Sequence, residues 1–252
     1  MPARTAVKIA AAVLTGGVAM SALAGCYVDV GALQHRTSRY LVSGMVQTLV
    51  VNDHVGSVHV IGGDSGRVSV TEHLTFRHTA PVTTHRASAG TLTLDSRCPA
   101  LETCSVGYDV TVPRAVTVRV SDNVGTIRLE SLSGQVTAHT NAGDIDLGSV
   151  SGPIEVTGRA GSILGQNVSS VHATLRLSAG RIDVTFSAVP TAITATTDVG
   201  SVNLRLPGNV PYAINTSVSV GSTAVSVTRN PASPHSITAS TRTGSITIEP
   251  EP

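Results

Sequence analysis

Apolar and polar residues alternate in short runs along most of the chain, and the runs return at a nearly constant interval. The stretch "TNAGDIDLGSVSG" (140–152) shows the unit: a small residue and a glycine, one polar residue, an aliphatic, a polar residue and another aliphatic. With Gly143 as position zero, equivalent glycines stand at Gly125, Gly161, Gly180, Gly200, Gly221 and Gly244, at successive gaps of 18, 18, 19, 20, 21 and 23 residues. Aliphatics follow two and four residues later, as in Ile127 and Leu129, Ile145 and Leu147, Ile182 and Val184, Val202 and Leu204, and Ile246 and Ile248. Seven residues before each glycine stand Val118, Val136, Ile154, Ala173, Ile193, Ile214 and Ile237. A period of two on both sides of the glycine predicts half-buried strands.

The block from seven residues before the glycine to four after it keeps its length in every repeat, and all length variation falls between blocks. Strands that must stay in register over variable loops are the mark of a stacked fold. The expected fold class is therefore all-β, a β-solenoid or parallel β-helix of roughly 18–23-residue rungs. Leu132, Val150 and Val168 offer a third buried point, so the coil is two-sided or three-sided. The alternative is an antiparallel β-sandwich of stacked hairpins, with the glycine as a hairpin bulge. It is disfavoured because a three-residue loop would turn the later aliphatics away from the earlier ones. Upstream, "VGSVHV" (55–60), "SGRVSV" (65–70) and "AGTLTL" (89–94) repeat the wording after the glycine with broken spacing. This half is expected to form a less regular N-terminal β cap that covers the open end of the coil.

Composition narrows the core. The chain has 252 residues, with 2% aromatic and no Trp, so the interior must be thin layers of Val, Ile, Leu and Ala. A formal net charge of +1 gives no reason to expect a nucleic-acid partner. At the N-terminus, Arg4 and Lys8 precede an uncharged run from Ile9 to Ala24, followed by Leu23-Ala24-Gly25-Cys26. The run is short for a membrane span and reads as a signal peptide. Leu-Ala-Gly-Cys resembles a bacterial lipobox, which would make Cys26 the site of lipid attachment; cleavage after Ala24 and plain secretion is the alternative. Cys98 and Cys104 remain as a pair, expected to close into a disulfide outside the cell. The implied organisation is a signal peptide (1–25), a short tether (26–45), the cap (46–114) and the regular repeats (115–249), with 46–249 one continuous domain.

A lipobox, a Cys pair in a short loop, "YDVTVP" (108–113) and a train of Gly-x-aliphatic-x-aliphatic rungs together resemble the bacterial adhesin family known as domain of unknown function 4097. The resemblance runs from about Val46 to Ile248 and implies a β-helical fold. It brings no functional residues. Rungs with Leu164-Gly165 or Thr223-Ala224 depart from the family's wording.

Catalysis on polysaccharide needs paired carboxylates and, usually, aromatic platforms. The best acidic group is Asp144, Asp146 and Asp183, with Arg128 one rung from Asp146 in the same outward column, which reads as a solvated contact. No catalytic residue, metal site or cofactor is expected; the histidines, among them His54 with His59 and His73 with His78, read as solvent-facing. Threonines and serines fill the outward columns, interrupted by Glu155, His139 and Arg176. The sequence therefore points to a non-catalytic, lipid-anchored envelope protein, an adhesin or scaffold. Its expected partners are the membrane through its lipid and an envelope polymer or surface protein, and it is expected to be a monomer. A carbohydrate-active β-helix is the enzymatic alternative.

Overall fold

The computed structural model describes residues 31–100 and 102–251. It is built wholly of strands, and it decides between coil and hairpins through its register. The regular rungs are β7 (Thr117–Glu130), β8 (Val136–Ala142) with β9 (Ile145–Gly148), β10 (Ile154–Val168), β11 (His172–Phe186), β12 (Ala192–Leu206), β13 (Ala213–Val225) and β14 (Ser236–Pro250). All pair in parallel with the rungs above and below, as in Gly161 opposite Gly180 and Gly180 opposite Gly200. The arms on either side of a column glycine do not pair with each other. The fold is the β-solenoid that the repeat predicts.

Each rung bends at its glycine, and the bend admits no side chain. Gly143 has φ 139°, and a Cβ placed on it would lie 1.7 Å from the carbonyl oxygen of Gly125. The same clash, onto the glycine carbonyl of the neighbouring rung, recurs at Gly125, Gly161, Gly180, Gly200, Gly221 and Gly244. The glycines thus form a continuous column because each backbone sits where the next one's Cβ would be.

Alternation then fills the interior. Ile127, Ile145, Ile163, Ile182, Val202 and Ile246 stack in one buried column, and Val118, Val136, Ile154, Ala173, Ile193 and Ile237 in another. Leu132, Val150 and Val168 are also buried. Before each of them the chain turns through a left-handed residue, Ser131, Ser149 and Asn167 (φ 57°, 52° and 53°). Rung-to-rung bonds continue there, with Ser151 N donating to Leu132 O at 2.8 Å and Ser169 N to Val150 O at 2.9 Å. Those rungs are three-sided.

Three departures from the sequence reading follow. First, the last two rungs exchange places: the spatial order is β12, β14, β13, so Gly244 lies between Gly200 and Gly221. Burial explains the exchange. β13 carries Thr216 and Thr223 at inward positions where other rungs carry Ala, Leu, Val or Ile. Placed at the end it leaves those hydroxyls near solvent, while Ile237, Ala239, Ile246 and Ile248 of β14 are buried.

Second, β2 (Thr48–Gly63) belongs to the regular stack, with Leu49 opposite Val118 and Gly56 opposite Gly125. Above β2 the corner splits into two separate arms. One continues through β5 (Thr91–Arg97) to β4 (Val82–Ser88), the other through β6 (Cys104–Pro113) to β3 (Val68–Phe76) and β1 (Gln34–Val42). "AGTLTL" accordingly pairs with the residues before Gly56, Leu92 opposite Leu49, and "SGRVSV" enters an antiparallel strand. A period of two specifies which face is buried and leaves the partner strand open. Third, the stretch 26–45 read as a tether contains β1, paired along its length with β3.

Candidate functional surfaces

The first arm of the stack, before the glycine, turns short polar side chains outward. Register aligns Arg119, Thr137, Glu155, Thr174, Thr194, Thr238 and Asn215 in one column. The next holds Ser121, His139, Thr157, Arg176, Thr196, Ser240 and Ser217. Side chains in it bond along the stack, His139 Nδ1 with Thr157 Oγ1 at 2.9 Å and Ser240 Oγ to Thr196 Oγ1 at 3.2 Å. An open groove of about 320 Å³ lies over His139, Thr157, Arg176 and Thr196.

The second arm carries charge. A row of contacts crosses five strands: Thr37 with His73 at 3.4 Å, His73 with Asp109 at 2.9 Å, Asp109 with His59 at 3.6 Å, and His59 with Glu130 at 3.7 Å. Arg128 extends it, 3.8 Å from Glu130 and 3.2 Å from Asp146. Beside Arg128, Glu130 and Asp146 is a groove of about 300 Å³ that opens over Gly148 and Gln166. Glycine at 148 leaves that gap between Glu130 and Gln166 on the neighbouring rungs.

Inside the corner lies a polar column that the sequence reading missed. Asp53 and Asp122 face inward on adjacent rungs, with Thr140 on the third, 7%, 1% and 1% exposed. Asp53 Oδ1 accepts a hydrogen bond from Ser96, and Asp122 Oδ1 accepts the Val124 N–H at 3.2 Å. Their second oxygens, with Thr140 Oγ1 and the Tyr108 hydroxyl above, have no hydrogen-bond partner among the described residues. Burial, and secondarily the charge of Asp53, pushes the Asp122 carboxyl up to about 6. Burial also raises Asp53. The signal was present: the inward alternation at seven and five residues before the glycine, carried two residues further, lands on these aspartates.

A family model described as Toastrack DUF4097 matches residues 52–249. The chain belongs to that family. Several solved structures resemble this Toastrack chain at low identity. A candidate cell adhesion protein of Clostridium sporogenes is 12% identical, with 86% of this chain and 100% of that one covered at TM-score 0.38. A candidate adhesin of Bacteroides fragilis is 13% identical over 86% and 97%, TM-score 0.43, and a candidate lipid-binding protein of Parabacteroides distasonis 12% over 88% and 98%, TM-score 0.28. Likenesses at this level carry no argument about function. No curated protein matches the sequence.

Within the Toastrack fold the sequence-picked residues divide clearly. Cys98 and Cys104 are bonded, their Cα atoms 5.9 Å apart, and close the loop that joins the two cap arms. Cys26 lies outside the described residues. Asp144, Asp146 and Asp183 do not converge: Asp144 caps Ser162 N at 2.9 Å, Asp146 meets Arg128, and Asp183 meets Arg205 at 2.8 Å. His59 and His73 meet across Asp109 and not through His54 or His78. Among the described residues no three His, Cys, Asp or Glu side chains form a metal-holding group.

Proposed function

We propose that the protein is a non-catalytic, lipid-anchored envelope-surface protein that binds or scaffolds through the outer faces of its solenoid, facing an envelope polymer or another surface protein. The supporting observation is the first-arm face: hydroxyl side chains locked in register on parallel rungs about 4.8 Å apart, a spacing suited to an extended polymer. Acylation at Cys26 would hold this face outside the membrane. Cys26→Ser should move the protein from the membrane fraction to the medium or leave an unprocessed precursor. Pull-down from envelope extracts should retain a partner that Thr196→Arg releases; equal recovery on both would count against this face.

The groove over Arg128, Glu130 and Asp146 is what favours the enzymatic reading. Hydrolysis requires an acid and a base or nucleophile on opposite sides of the scissile bond. Here one guanidinium holds both carboxylates on one wall. Release of reducing ends from envelope polysaccharide, abolished by Glu130→Gln, would reverse the assignment.

A further inference from the structure

We propose that β1 and the turn after it form a docking edge for an anionic phospholipid surface, an assignment that rests on the lipid-anchored reading above. β1 is the outermost strand of the cap, paired among the described strands with β3 alone, and its first six residues are exposed. From Ala32 to Asn52 there is no acidic side chain. The charges there are Arg36, its guanidinium 5.7 Å from the Phe76 ring centre, and Arg39, whose Nε donates to Thr71 Oγ1 at 3.1 Å. Neither has an ion-pair partner among the described residues.

Exposed aliphatics share the edge. Leu33, Leu41 and Met45 are 48%, 64% and 79% exposed, and Arg67 lies with Leu41 around the Ser43-Gly44 turn. Cations interleaved with unburied apolar side chains suit the headgroup layer, where guanidinium meets phosphate and Leu or Met reaches the acyl boundary. Reach agrees. Gln34 lies eight positions beyond Cys26, at most about 28 Å of extended chain, so an acylated Cys26 keeps β1 beside the bilayer. The opposite end, β13, is an edge strand without a charged residue and far along the chain from any anchor.

The test uses Ala32–Pro252, the compact unit that contains every buried core residue among those described, without acylation. It should co-sediment with vesicles holding about a third phosphatidylglycerol, roughly tenfold more than with pure phosphatidylcholine, and salt should release it. Arg36→Glu with Arg39→Glu should abolish the difference, and Arg36→Gln with Arg39→Gln should reduce it. Leu41→Asp with Met45→Asp should weaken binding while the urea midpoint stays unchanged. Equal binding to both vesicles, or binding undiminished by the charge reversal, overturns the docking edge. Acylation is read separately by fractionation of Cys26→Ser, so either claim can fail while the other stands.

Discussion

The two ends of the stack solve the same problem with opposite means. Both must stop a growing parallel sheet without leaving a buried, unpaired strand. At the far end the chain lays β13 first and returns to insert β14 beneath it, so the rung with Thr216 and Thr223 inside becomes the exposed one. At the near end the corner splits after Gly56, where Val106 O occupies the Cβ position. The two arms then close on each other through the Tyr40–His85 ring stack at 4.5 Å and through Glu72, which accepts the Tyr40 and Thr83 hydroxyls at 2.9 and 3.0 Å. The far end is repeat wording with weakened inward residues. The near end is bespoke, and among the described residues buried carboxylates occur only in its strands and the two rungs beneath them, at Asp53, Glu72 and Asp122.

The strand exchange gives the largest expected effect. Ile246 and Thr223 occupy the same column position on β14 and β13, yet only Ile246 is buried. Ile246→Asp should cost about 4 kcal/mol in urea unfolding, and Thr223→Asp under about 1 kcal/mol. Costs in the reverse order would restore the sequence order of rungs. Next comes the corner. A Cβ on Gly180 would meet Gly161 O at 1.8 Å, whereas one on Gly66 in the cap meets nothing within 4 Å. Gly180→Ala should lose about 2–3 kcal/mol and Gly66→Ala about 0–0.5, measured by thermal or urea midpoint.

The near end contributes the two smaller effects. Cys98→Ser with Cys104→Ser should lower stability by about 2 kcal/mol, since the closed loop is short. In the native protein both sulfurs should resist alkylation until reduced. Asp122 sharpens the contrast between ends through pH. Its carboxyl, pushed up to about 6, binds its proton more tightly folded than unfolded, where about 3.9 applies. Its contribution is therefore full below about pH 4 and is lost as pH rises through about 6. Stability should rise by about 1–2 kcal/mol from pH 7.5 to pH 5, and Asp122→Asn should flatten that rise by stabilising the pH 7.5 state. A profile unchanged by Asp122→Asn would mean the carboxyl is not the source.

How legible each part was follows from the kind of information involved. The column glycines, the inward Ile127–Ile145–Ile163 layer and the outward Arg128–Asp146 contact at 3.2 Å could be placed from spacing alone, because a rung repeats its own geometry. The His73–Asp109–His59 row could not, since it joins strands brought together by the split cap. Asp53 and Asp122 lay within reach of the pattern, but a carboxylate at an inward position contradicts the usual meaning of alternation.

By itself the sequence determined the rung, its bend and the face each residue takes, because backbone sterics at glycine and alternation in a strand act within a dozen residues. It did not determine which edges meet. Whether β14 or β13 lies on β12, and whether "AGTLTL" pairs before or after Gly56, depends on competition among strands of the same periodicity for the same buried edges. Only the tertiary structure settles that competition, by placing the more apolar of the two rungs inside and the hydroxyl-bearing one at the end.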